Sequence, residues 1–289
     1  MISPTDYEFL RQLLLKRSGL SLADNKQYLL DGRLAPVLRE HGIATVAEFV
    51  LRLRARGSEN LERALIEAMT TNESFFFRDR TPFDSFTATM LPKFLATRPP
   101  GKTIRIWSAA ASTGQEAYSL AILVKENGAK LAGWRFEIVG TDLSQEVLDR
   151  AAAGIYSQFE VQRGLSIQHL MKHFKKVGDN WQISPDLRAM VQFRTHNLLM
   201  PFTPLGTFDI ILCRNVLIYF DAPTKTEVLQ RLAKTLAPDG YLVLGGAETV
   251  VGLSDAFRLA PGQRNLYMVN PTPVAEARPP IPLRMVAGR

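Results

Sequence analysis

Side chains able to bind or activate a ligand gather in five short stretches. The first, TTNESFFFRDR at residues 70–80, sets Asn72, Ser74 and Arg78 around three adjacent phenylalanines. Arg78 offers a planar fork of fixed charge that suits a carboxylate. A strand would bury Phe75 and Phe77 and expose Phe76, whereas a helix would spread the three over most of its circumference. The second, WSAAASTGQEAYS at 107–119, has small residues from Ala109 to Thr113 that let a ligand approach the backbone. Gly114 then permits a tight turn. Glu116 falls in the first helical turn, where a carboxylate favours the helix N-terminus or pairs with a cationic ligand group such as an amine or sulfonium. The third, GTDLS at 140–144, carries Asp142. An acid at that place in an α/β fold holds ribose hydroxyls, and an ordinary turn or N-cap aspartate would read the same way. Asn197, after a further strand, could read an adenine edge or cap a turn. The fifth, FDIILCRNVLIYF at 208–220, brings Arg214 and Asn215 to a strand end and Tyr219 just past it. An arginine directly after FDIILC belongs at the rim of a sheet.

Two kinds of element must hold these stretches in place. Residues 1–70 read as a small helical bundle with short loops. Ser3-Pro4 starts the first helix and Gly19 stops it. A second runs from near Asp24 to before Gly42, with Pro36 predicting a kink or break. A third spans Thr45 to about Arg56, and Ser58 caps a fourth. From Thr81-Pro82 the pattern changes. A helix over 83–96 leads into TIRIWSA, and then strands (RFEIVGTD, FDIILC, YLVLGGAE, NLYMV) alternate with helices (114–128, 143–154, 222–238). This alternation predicts an α/β fold, a doubly wound and mostly parallel sheet with right-handed crossovers. Ligands bind such sheets at the carboxyl ends of the strands. Residues 174–196 break the alternation and read as a small antiparallel β insert turning at 178–180. The expected division is a helical domain at 1–70, a linker at 71–84, an α/β domain at 85–270 and a Pro-rich extended or disordered tail at 271–289.

Composition narrows the function. No GxGxxG follows the first strand and no GxxxxGK[ST] occurs, which argues against a standard dinucleotide dehydrogenase and a P-loop NTPase. Cys213 is the only cysteine, so no internal disulfide forms and a reducing compartment fits. With four scattered histidines it leaves no metal-ligand cluster, and none is expected. No run of about 18 apolar residues is present, so no membrane insertion is expected. No secretory signal is visible in MISPTDYEFL, which points to a cytoplasmic protein. The net charge of +7 invites a nucleic-acid or acidic-protein partner, but residues 1–80 carry 12 Lys+Arg against 11 Asp+Glu and no single block holds the excess.

Taken in order, TTNESFFFRD, IRIWSAAASTGQEAYSLAI, GTDLS, FDIILCRNVLIYFD and APDGYLVLGGAE resemble the chemotaxis receptor methyltransferase family, over roughly residues 5–270. The resemblance implies S-adenosylmethionine as cofactor, S-adenosylhomocysteine as product, and glutamate side chains of chemoreceptor cytoplasmic helices as acceptors, in chemotaxis adaptation. The cofactor contacts it implies are Asn72, Ser74, Arg78, Glu116, Asp142, Asn197 with Leu198, and Arg214 with Asn215. The catalytic side chains it implies are Arg78 and Tyr219. The linker would cross the cofactor site, its phenylalanines divided between packing on the two domains and walling the cofactor. Lys26, Arg33 and Arg39 would give one helix a basic face for an acidic receptor helix. Some members tether to a peptide at the receptor C-terminus through the β insert. The short VGDN turn argues against such a pentapeptide tether here. Two other readings are a non-catalytic scaffold and a nucleic-acid methyltransferase. The second lacks an Asn/Asp-Pro-Pro-aromatic motif, and Cys213, late in an apolar strand and not preceded by proline, reads as a small buried hydrophobe. No nucleic-acid partner is therefore expected.

Overall fold

Local capping sets the first helices. In the computed structural model, which describes residues 2–270, Ser3 accepts the Asp6 amide at the start of α1 (Pro4–Ser18), and Gly19 closes it in the left-handed conformation at φ 77°. α2 (Gln27–Glu40), α3 (Val46–Arg54) and α4 (Glu59–Met69) complete the bundle. Its core gathers Leu10, Leu14, Leu30, Leu34, Phe49 and Leu65. Contrary to the expected break, α2 runs through Pro36. That residue lies on the exposed side, away from buried Leu30, Leu34 and Val37, so the ring and the missing N–H meet solvent rather than core. Ser58 precedes α4 without capping it, and its hydroxyl instead donates to the Leu53 carbonyl.

After the linker, a helix in three pieces crosses to the sheet: α5 (Thr81–Ser85), a π-type turn at Phe86–Met90, and α6 (Leu91–Thr97). There follow β1 (Thr103–Ala109), α7 (Gln115–Glu126), β2 (Arg135–Asp142), α8 (Gln145–Ala153), β3 (Ile155–Tyr156), α9 (Gln158–Gln162) and α10 (Ile167–His173). The chain ends with β4 (Phe174–Val177), β5 (Asn180–Ile183), α11 (Pro185–Ala189), β6 (Val191–Thr195), β7 (Phe208–Cys213), α12 (Ala222–Thr235), β8 (Leu236–Leu244), β9 (Phe257–Leu259) and β10 (Leu266–Val269).

The main sheet has the order β6-β2-β1-β7-β8-β10-β9. The first five strands are parallel, and β10 and β9 are antiparallel at the far edge. Alternate residues feed two cores. Ile104, Ile106, Ile210 and Leu212 pack with α7, while Trp107, Ala109, Ile211 and Cys213 pack with α12. Buried on both faces, these strands read as continuous apolar runs. The chain adds strands outward on one side of β1 and then returns to its other side with β7, which makes the carboxyl ends of β1 and β7 the switch point where ligands bind.

The β insert differs from the expected 174–196. Only β4 and β5 of that stretch enter the small antiparallel sheet, and its third strand is β3, upstream. Residues 191–195 form β6 of the main sheet, paired in register from Ile138↔Val191 to Asp142↔Thr195. The reason lies in the partner strand. A Cβ at Gly140 would stand 2.7 Å from the Phe193 ring, so the bare glycine makes room for Phe193 to lie over β2. The tail 271–289 falls outside the described residues.

Candidate active site

The cleft at the switch point is lined from both domains and from the linker between them. α1 and the turn after it supply Ser18 and Leu20, the linker supplies Asn72, Glu73, Ser74 and Arg78, and the strand ends supply the rest. About 980 Å³ of empty space lies between its walls, open solvent at its mouth included. Every candidate cofactor and catalytic residue from the sequence lies on its wall: Asn72, Ser74, Arg78, Glu116, Asp142, Asn197, Leu198, Arg214, Asn215 and Tyr219.

Backbone conformation concentrates at this wall. Phe77, Asp79 and Arg80 in the linker, Ala110 and Ser112 after β1, and Asn215 after β7 all have φ between 44° and 66°. Side chains avoid this left-handed region at a cost of about 1–3 kcal/mol each. Of these six, Ala110, Ser112 and Asn215 line the cleft, while Phe77, Asp79 and Arg80 lie in the linker that borders it.

Arg214 is the hub. Its side chain is 2% exposed and pairs with Glu116 at 2.7 Å and Asp79 at 2.8 Å. It also donates to the Arg78 carbonyl at 2.8 Å, which ties the linker to the end of β7. Ser108 donates to the other oxygen of Glu116 at 2.7 Å. Glu116 is thus oriented by two donors rather than merely placed at a helix N-terminus. Asp142 accepts the Ser112 amide at 2.9 Å and the Ser144 amide at 3.1 Å. Burial raises its pKa, and those amides oppose the rise. The Ser112 hydroxyl donates to the Asn72 carbonyl at 2.8 Å, a second tie between linker and strand end.

Asn197 spends its amide on the fold. Its Nδ2 donates to the Arg17 carbonyl at 2.7 Å across the domain boundary, and its Oδ1 accepts the Leu199 amide at 2.9 Å. These bonds use one of the two Nδ2 hydrogens and one Oδ1 lone pair, and Asn197 still lines the cleft. Tyr219 is anchored by backbone alone, its carbonyl accepting the Ser21 amide at 2.8 Å. Its hydroxyl has no hydrogen bond among the described residues. Arg78 donates to the Glu73 carbonyl at 2.8 Å and lies 5.4 Å from the Phe75 ring centre.

The three phenylalanines do not wall the cleft, contrary to expectation. Phe76 is fully buried, edge-on to Tyr156 at 5.0 Å and Phe174 at 5.5 Å. Phe77 stacks on His169 at 5.1 Å, and Phe75 lies beneath Arg78 and Arg163. All three turn towards the α/β domain and its insert. The cause is the left-handed turn at 77–80, which makes the segment neither strand nor helix. Of the basic residues on α2, Arg33 is used internally, donating to the carbonyls of Met69 and Thr70 and to the Thr71 hydroxyl. Lys26 contacts Tyr28, Arg39 is exposed, and none of the three lines the cleft.

The sequence pattern marks no role for Glu248, which closes the stretch APDGYLVLGGAE. It is buried, and its carboxylate accepts four backbone amides that shape the loop carrying Asn215 and Tyr219. An acid right after an apolar strand and two glycines is the signal that could have marked it. Cys213 is fully buried, and burial pushes its thiol well up, which removes it as a nucleophile.

The chemistry of this wall is two-sided. Glu116 and Asp142 suit cationic groups and hydroxyls, and Arg78 suits a carboxylate. Two buried nitrogens on wall residues, His196 Nε2 and Arg214 Nε, have no partner among the described residues. Comparison with known proteins agrees with that donor set. The SAM binding domain of the CheR methyltransferase family matches residues 72–266, and its all-alpha domain matches residues 5–70. The chain is 40% identical over 258 residues to chemotaxis protein methyltransferase Cher2 of Pseudomonas putida, covering 88% of this chain and 94% of that one. It is 40% identical to chemotaxis protein methyltransferase 1 of Pseudomonas aeruginosa, covering 88% and 93%, and 35% identical to the chemotaxis protein methyltransferase of Salmonella typhimurium, covering 89% and 88%. S-adenosylmethionine has the hydroxyls, cationic centres and carboxylate that such a wall accepts. Its match to both domain types, and to relatives over nearly their whole length, places this chain in the CheR methyltransferase family, with S-adenosylmethionine as cofactor.

Proposed function

We propose that the protein transfers a methyl group from S-adenosylmethionine to glutamate carboxylates of chemoreceptor cytoplasmic helices, forming methyl esters, with Arg78 and Tyr219 as the catalytic side chains. One observation carries this reading. A cation with free donors, Arg78, and an uncommitted phenol, Tyr219, share a cleft with the acids Glu116 and Asp142. When bound, the cofactor supplies an electrophilic methyl on a sulfonium.

A glutamate carboxylate, with an ordinary pKa of about 4.3, is ionised at neutral pH and needs no general base. The protein's task is then alignment and exclusion of water, worth up to about 7–11 kcal/mol in favourable cases. Arg78 spends one nitrogen on the Glu73 carbonyl and keeps the rest of its fork for the acceptor carboxylate. Because it is half-buried at the mouth, it orients that carboxylate without fully neutralising it. Tyr219, fixed through its backbone, donates a hydrogen bond to the second oxygen. Asn72, Ser74, Glu116, Asp142, Leu198, Arg214 and Asn215 hold the cofactor, with Asp142 on the ribose and Glu116 facing the cationic end. Asn197 sets the wall by capping its loop. With Arg33 committed to the linker, exposed Arg39 on α2 and half-buried Lys26 just before it remain for an acidic receptor helix.

The test is transfer of labelled methyl from S-adenosylmethionine to chemoreceptor-containing membranes. Arg78→Ala should lower the rate about 10–150-fold, the worth of a hydrogen bond to a charged group, and Tyr219→Phe about 3–10-fold. The label should be released by base, as an ester is. Base-stable label, or full activity of both variants, would reject the acceptor or the catalytic assignment respectively. Cofactor binding without transfer to any receptor would favour a scaffold.

A further inference from the structure

We propose that Glu248 is a positioning residue for methyl transfer, holding the loop that carries Asn215 and Tyr219 through four backbone amides. The inference rests on the reading above that this loop serves the reaction.

The geometry is specific. Glu248 Oε2 accepts the Asn215 amide at 2.8 Å and the Gly245 amide at 2.7 Å. Oε1 accepts the Val216 amide at 2.9 Å and the Leu217 amide at 2.8 Å. The side chain comes from the loop after β8 and reaches the loop after β7, so one carboxylate fastens two neighbouring strand ends. Glu248 is 6% exposed, and no Lys, Arg or His among the described residues pairs with it. A buried carboxylate persists without a cation only when hydrogen bonds fill its lone pairs, and here four amides do so.

The amides in turn need the carboxylate. At Cys213 the sheet ladder ends, Asn215 turns into the left-handed region at φ 59°, and a short 3-10 turn follows at Leu217–Tyr219. Three successive N–H groups at 215–217 therefore point one way without strand or helix partners, which forms an anion-binding nest. Glu248 fills the nest from inside the chain. The fit leaves no room for a side chain at 245, where a Cβ would stand 2.7 Å from Glu248 Oε2 and 3.0 Å from the Asn215 nitrogen.

Glu248 does not line the cleft, whereas Arg214, Asn215, Val216 and Tyr219 do. It thus acts on the site only through the loop. Replacing it would release the conformation at Asn215 and let Tyr219 move relative to Arg78, whose own carbonyl is held by Arg214.

The experiment combines kinetics with amide hydrogen exchange on the full chain, for Glu248→Gln and Glu248→Asp beside wild type. Glutamine keeps the shape but turns an NH2 group towards one pair of amides. Aspartate keeps the charge but falls short of one pair. In either folded variant, exchange at residues 215–217 should speed up at least tenfold, with α7 and α12 unchanged. The kcat for methyl transfer should fall about 3–10-fold, up to the loss that Tyr219→Phe itself causes, with the cofactor KM changing less. In a Tyr219→Phe background the same substitution should lower kcat less than about twofold, because the group it positions is already gone. Unchanged exchange at 215–217 would overturn the proposed clamp. Faster exchange with unaltered kcat, or full additivity with Tyr219→Phe, would overturn its role in transfer. Wild-type kcat for Tyr219→Phe alone would instead overturn the reading on which the inference rests, while the exchange result still decides the clamp.

Discussion

Asp142 is buried at the end of β2, and burial raises its pKa above the ordinary 3.8 even with the amides of Ser144, Ser112 and Leu143 opposing the rise. The folded protein therefore holds that proton more readily than the unfolded chain does. Stability without cofactor falls as pH climbs from about 3.8 through the raised value, because ionisation then costs more in the folded state. Cofactor binding has the opposite slope, since ribose hydroxyls donate best to the ionised form. Asp142→Asn should separate the two. In calorimetric titration its affinity for S-adenosylhomocysteine should fall about 10–150-fold, the worth of a charged hydrogen bond. Without ligand its Tm should shift by no more than about 3 °C, since relief of the buried charge offsets a lost acceptor worth about 1 kcal/mol. Its pH dependence of stability should also be flatter than wild type across the acid range. Wild-type affinity in this variant would remove Asp142 from the ligand contacts. Stability is spent at this residue for binding, the usual trade at a functional site.

The linker is the element in which packing and site meet. Phe76 fastens it to the insert, fully buried against Tyr156 and Phe174, while Phe75 is half-buried under two arginines. Phe76→Ala should cost about 3–5 kcal/mol in urea unfolding. Phe75→Ala should cost about 1–2 kcal/mol, the scale of cation–π contacts at a partly exposed site. Equal losses would mean that the run of phenylalanines is a uniform core segment. The sequence shows the three aromatics but not their directions, because those depend on left-handed residues at 77, 79 and 80, which side-chain pattern does not encode. The same limit explains the insert. β3 is two residues long, and α9 and α10 are five and seven, too short for periodicity to register. β6 joins the main sheet rather than the insert because its place depends on Gly140 in a distant strand making room for Phe193. Long apolar strands and capped helices were legible because local chemistry alone specifies them, as at Ser3, Gly19 and Ser144. Glu116, Asp142, Arg214 and Asn215 are legible as candidates because they stand at or just past strand ends, whereas Asn72, Ser74 and Arg78 are legible only through the linker motif. Glu248 was not, because its partners are backbone amides that any sequence supplies.

Across the whole molecule, the cleft exists only where the two domains meet. The Ser21 amide donates to the Tyr219 carbonyl, and Asn197 donates to the Arg17 carbonyl. Between these ties lies Gly19, at φ 77°, where a Cβ would stand 2.9 Å from the Phe220 ring and 3.1 Å from Leu199. The tie at Tyr219 is therefore set by how closely α1 approaches the loop after β7. Gly42 provides an internal comparison, since it has φ 60° but nothing within 4 Å of its added Cβ. Alanine at either position bears the left-handed strain of about 1–2 kcal/mol, and each variant should lose about 2–6 °C in Tm. Only Gly19→Ala must also move Phe220, and with it Tyr219 and the wall. Its affinity for S-adenosylhomocysteine should fall at least fivefold and its methyl transfer rate by more, while Gly42→Ala binds as wild type does. Saturating S-adenosylhomocysteine, at about 100 times Kd, should add about 2.7 kcal/mol to the stability of wild type and Gly42→Ala. At that same concentration Gly19→Ala should gain less, by the amount its affinity has dropped. Matching affinities in the two variants would mean that the helical domain merely adjoins the cleft. A loss confined to Gly19→Ala would mean that its seating on the α/β domain sets the geometry in which the methyl group is transferred.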